Sequence, residues 1–96
     1  MTLQQFKNII NRVNRFNNYV DKLSEFGIEL IDTPLSDNFY LMFEDLIRLS
    51  YGDVGLDYVL WWLYESGEDK TILDENDNEI ANLETVEDLY NYLESL

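Results

Sequence analysis

Leu3, Phe6, Ile10, Val13, Phe16, Val20 and Leu23 recur at steps of three and four, the spacing of one buried helical stripe. Thr2 with Gln5 three positions on predicts a capping box, and Gly27 predicts a left-handed stop, so a helix is expected over about 3–26. Ile28, Leu30 and Ile31 form a short apolar connector. Thr33-Pro34 opens a second helix, since proline tolerates the first helical position. Its expected inner face is Leu35, Phe39, Met42, Phe43, Leu46 and Leu49, over about 34–50. Gly52 ends that segment.

A third helix, entered near Asp53 and covering about 54–66, carries seven consecutive apolar or aromatic residues from Tyr58 to Tyr64. With almost no polar face it is expected to sit centrally. Lys70–Leu73 and Glu79–Asn82 flank the Asx-rich run 74–78, the pattern of a β-hairpin over about 70–82. Thr85 with Asp88 predicts a second capping box and a last helix over about 86–95, burying Val86, Leu89, Leu93 and Leu96. The expected fold class is α+β, mostly helical, with three helices, a short hairpin and a C-terminal helix around one core. A single domain over 1–96 follows from the length.

Composition narrows the chemistry. Six Lys and Arg stand against twenty Asp and Glu, a net charge of −14, and His and Cys are absent. Zinc fingers, disulfides, thiol nucleophiles and histidine acid–base catalysis need residues this chain lacks. Paired carboxylates alone make no glycosidase-type site without a concave pocket, for which 96 residues leave little room. The expectation is a non-enzyme with no catalytic residue, cofactor or metal.

The charge is uneven. Residues 1–26 hold Lys7, Arg12, Arg15 and Lys22 against two acids, whereas 27–96 hold Arg48 and Lys70 against eighteen. On the first helix the four cations fall within roughly 140° of arc opposite the apolar stripe, the pattern of a solvated face. The overall field repels phosphate and anionic lipid, so neither nucleic acid nor membrane is an expected direct partner. No apolar leader precedes the first helix, and the longest apolar run is seven residues, so the expected location is the cytoplasm.

From Glu65 onward eleven acids face Lys70 alone. Solubility is served by a net charge of about 2–8 in magnitude, so the excess points to a binding surface for a cationic partner. Strict mimicry of a double helix needs one charge per ~1.7 Å, about ten along the last helix, which supplies four. The expected surface therefore combines Asp74, Glu75, Asp77 and Glu79 on the hairpin with Glu84, Glu87 and Asp88, and with Tyr90 and Tyr92 as anchors. Tyr19, Tyr40 and Tyr51 are further rim candidates against a structural reading.

Asp74-x-Asn76-x-Asn78 resembles the start of a calcium loop. Glu79 stands in place of the required Gly, however, and Thr85 in place of the bidentate Glu, which favours a turn. Adjacent helical residues point about 100° apart, so one of Trp61 and Trp62 is expected to be buried against the first helix. The other is then partly exposed or at a subunit contact. Self-association through Trp62, giving a homodimer whose acidity serves solubility only, is the alternative function.

The run Asp57-Tyr58-Val59-Leu60-Trp61-Trp62-Leu63-Tyr64-Glu65, followed by a hairpin with Ile72 and Ile80 and then Leu83-Glu84-Thr85-Val86-Glu87-Asp88-Leu89-Tyr90-Asn91-Tyr92-Leu93, resembles small acidic accessory proteins of tailed bacteriophages. The resemblance covers roughly residues 53–95. It implies an anti-defence inhibitor of the anti-CRISPR or anti-restriction kind, acting in the host bacterial cytoplasm on a basic surface of a nucleic-acid-processing or defence protein.

Overall fold

Thr2 opens the first helix in a computed structural model that describes residues 1–96. Its hydroxyl accepts from the Gln5 amide at 3.1 Å, and the Gln5 side chain accepts from the Thr2 amide at 2.8 Å. This reciprocal cap satisfies two amides that the first turn would leave unbonded. Helix α1 runs Leu3–Glu25 and stops at Gly27, whose φ of 78° suits glycine. The fold is α+β and mostly helical, and the chain groups into two compact units, Met1–Leu46 and Ile47–Leu96.

In the first unit Phe6, Ile10, Val13 and Val20 of α1 are buried, each such side chain contributing on the order of 1.5–3 kcal/mol. Phe16 stacks on Phe39 at 4.2 Å between ring centroids, and Tyr40 meets both rings edge-on while donating to Asn17 Oδ1 at 2.6 Å. Of the apolar connector, Leu30 is half-buried while Ile28 and Ile31 are exposed.

Helix α2 spans Pro34–Leu60 and breaks at Gly52, where φ 72° and ψ −174° lie in a region essentially reserved for glycine. The break produces the two arms expected from the sequence. Arg48 near the end of the first arm pairs with Asp53 at the start of the second, Nε to Oδ1 3.1 Å, each charge complementing its helix dipole.

The inner face of the first arm differs from the expected one. Phe43 is buried and Phe39 half-buried, but Leu35, Met42, Leu46 and Leu49 are exposed, and Ser36 and Ile47 are buried instead. Capping lets a polar residue occupy this face. Ser36 Oγ accepts from the Thr33 amide at 3.2 Å and donates to the Thr33 carbonyl at 3.0 Å, so its hydroxyl is satisfied where it is buried. Phe43 and Ile47, seven and eleven residues on, share that side of the helix.

In the second unit Ile47, Leu56, Val59, Leu83, Leu89 and Leu93 are buried. After α2 the chain widens into a π-helical turn at Trp61–Glu65, where the Ser66 amide bonds the Trp61 carbonyl at 2.8 Å. That shift deprives the Trp62 carbonyl of its helical donor. Ser66 Oγ at 2.9 Å and Lys70 Nζ at 2.8 Å replace it. The aromatic segment is not central throughout: Trp61, which borders an open cleft, and Trp62 are both half-buried, and Tyr64 is exposed.

Strands β1 (Thr71–Leu73) and β2 (Glu79–Asn82) pair antiparallel with an irregularity between Ile72 and Leu73. Helix α3, Val86–Glu94, starts at the Thr85–Asp88 capping box. Leu96 lies past its end and is exposed, contrary to the expected burial. No helix is long and apolar enough to cross a membrane.

Candidate functional site

The second unit holds thirteen acids against Arg48 and Lys70, a net charge of −11. Both cations are engaged. Arg48 holds Asp53, while the Lys70 ammonium sits 4.4 Å from the Trp62 ring centroid and donates to Ser66 Oγ at 2.8 Å. A cation held over an aromatic face and donating to two oxygens is anchored in its own fold.

The nine residues expected to bind a partner separate into two groups. Glu75, Asp77, Glu79, Glu84 and Glu87 are exposed, and no side-chain hydrogen bond or ion pair within the second unit engages them. Asp74, Asp88, Tyr90 and Tyr92 have local roles. Asp74 Oδ1 accepts from the amides of Asn76 at 2.8 Å and Asn78 at 2.9 Å, closing the turn as an Asx motif. Those two bonds, Asn78 first, hold its carboxyl below the usual range. Asp77, at φ 62°, adopts the left-handed conformation that the turn requires and Asp tolerates.

Asp88 accepts from the Thr85 amide at 3.1 Å, so its carboxylate caps α3. The Tyr92 ring meets Tyr58 edge-on at 5.1 Å, and the hydroxyl donates to Tyr58 at 3.4 Å. That bond and burial push the Tyr92 phenol up to about 12. Tyr92 is therefore a packing residue. Tyr90 is half-buried, and burial followed by the adjacent Glu94 carboxylate raises its phenol.

Glu94 closes α3 at the end where the helix dipole disfavours a carboxylate. The Tyr51 hydroxyl compensates by donating to Glu94 Oε1 at 2.7 Å, and burial together with this bond raises the Tyr51 phenol. Tyr51 and Tyr40 thus act structurally, whereas Tyr19 is exposed. The Trp62 indole donates to the Leu83 carbonyl at 2.6 Å, so the residue expected to mediate self-association is committed within its own unit.

The sequence reading left little room for a pocket, yet the second unit carries an open cleft of about 610 Å³. Val54, Asp57, Tyr58 and Trp61 line it from α2 and the π-helical turn, and Thr71, Ile72 and Leu73 from β1. The helical contributors follow the i, i+3, i+4, i+7 spacing of one face. That signal was present in the sequence, but the seven-residue apolar run masked it. One carboxylate, Asp57, lines the cleft, so the pair that acid–base hydrolysis requires is not assembled there. The chain matches no protein-family model, no curated protein and no solved structure.

Proposed function

We propose that this chain is a non-enzymatic binding protein whose acid-rich second unit engages a basic surface on another protein. One observation carries the reading: Glu75, Asp77, Glu79, Glu84 and Glu87 are exposed and unengaged while both cations of that unit are held internally. An unneutralised field of this kind accelerates encounter with cationic surfaces and is screened by salt. Surfaces that handle nucleic acid are the commonest strongly basic ones in a cell. The bacteriophage resemblance supports the narrower form, inhibition of a host defence or nucleic-acid-processing protein of the anti-CRISPR or anti-restriction kind.

The test is capture from a bacterial lysate on the immobilised chain, with elution by a salt gradient. The proposal expects a discrete protein with a basic nucleic-acid-binding surface, retained at 50 mM salt and released by about 300 mM. Retention that is independent of salt, or no discrete protein at any salt, contradicts it.

A further inference from the structure

We infer that the cleft between the second arm of α2 and β1 receives an arginine side chain from the cationic partner. This deepens the proposed function and rests on it. The cleft combines three elements that a guanidinium on an aliphatic stem uses together. Asp57 supplies a carboxylate that no hydrogen bond or ion pair within the second unit occupies. Trp61, four residues on and hence on the same helical face, supplies the aromatic surface over which a weakly hydrated planar cation stacks. Val54, Ile72 and Leu73 supply apolar walls for the methylene stem.

The size fits as well. About 610 Å³ lies within the range of sites that enclose a small ligand, enough for one side chain and its flanking backbone. Arginine is favoured over lysine because its fork pairs with a carboxylate in two places while its plane stacks on a ring. The net −11 of the unit draws such a group in, and the cleft fixes which residue of the partner is read.

The test is a titration of the ¹⁵N-labelled full chain with an amidated nine-residue peptide of alternating Gly and Arg. A Gly/Glu peptide serves as control. Saturable shifts are expected at the Trp61 indole N–H and the Asp57 and Thr71 amides. Asp57→Asn should weaken binding at least fivefold, whereas Asp69→Asn, the same charge change outside the cleft, should stay within twofold. Val54→Arg, at an exposed position three residues before Asp57, should abolish these cleft shifts. Shifts confined to the hairpin and α3, with Asp57→Asn binding as tightly as wild type, overturn the cleft assignment and leave the acidic-surface reading standing. No saturable shift anywhere overturns both. Cleft shifts that follow the concentration of the chain without peptide make a second copy the occupant and also overturn the assignment.

Discussion

The Trp62 indole donates to the Leu83 carbonyl at 2.6 Å, joining the π-helical turn to the chain two residues before the Thr85 cap of α3. Lys70 lies over the same ring and bonds the Trp62 carbonyl, so a single residue is held by ring, indole and backbone. Trp62→Phe keeps most of the apolar surface and deletes the donor, leaving a part-buried carbonyl unpaired. The expected loss is about 1–3 kcal/mol in denaturant unfolding. A loss below 0.5 kcal/mol would show that the bond does not organise this junction.

Gly55 tests the bend of α2 with a sign opposite to helix propensity. Ala is the better helix former by about 1 kcal/mol, but a Cβ at Gly55 would meet the Tyr51 Cβ, brought there by the break at Gly52. Gly55→Ala is therefore expected to lower the melting temperature. A rise would mean that α2 runs straight through residue 52.

Met42 and Leu46 report which face of the first arm is covered. Both are exposed, so Met42→Gln and Leu46→Gln are each expected to change stability by no more than about 0.5 kcal/mol. Phe43→Ala, at a buried position, is expected to cost about 3–5 kcal/mol. The reverse ranking would restore the face expected from periodicity alone.

That face shows where the sequence was legible and where it was not. Caps at Thr2 and Thr85, stops at Gly27 and Gly52, and the Asx turn at Asp74 are set by local hydrogen bonding and φ, so they could be read directly. The first arm of α2 carries apolar residues on two sides, and periodicity could not choose between them. The buried side includes Ser36, a polar residue that no hydrophobic pattern flags and whose hydroxyl is satisfied by the Thr33 cap. At the candidate site the acids were legible as residues but their employment was not. Asp74 and Asp88 look like Glu75 and Glu87 in the sequence, and only hydrogen-bond partners separate them.

Acid and alkali should act on different parts of the second unit. The Asp74 carboxyl is lowered in the folded state, so its contribution is complete above its ordinary value of 3.8 and is lost as pH falls through the folded value. The Tyr92 phenol is raised from 10.0 to about 12, so its contribution is complete below pH 10 and is lost as pH rises towards 12. Carboxyl chemical shifts followed by NMR should place the Asp74 midpoint below 3.8, and hairpin amides should broaden there before those of α3. An Asp74 midpoint at or above 3.8 contradicts the Asx assignment.

The central claim is that the location of the acids, not their number, makes the binding surface. Two variants with the same change in net charge separate these: Glu75→Lys, Glu84→Lys and Glu87→Lys in the second unit, against Asp21→Lys, Glu25→Lys and Glu29→Lys in the first. Neither set removes the Asp74 oxygen that closes the turn or the Asp88 oxygen that caps α3, and circular dichroism of both should match wild type. Affinity for the captured partner, measured by calorimetry at 100 mM salt, is expected to fall at least a hundredfold for the second-unit variant and less than fivefold for the first-unit variant. Equal losses in the two variants would make binding a matter of bulk charge and contradict the account.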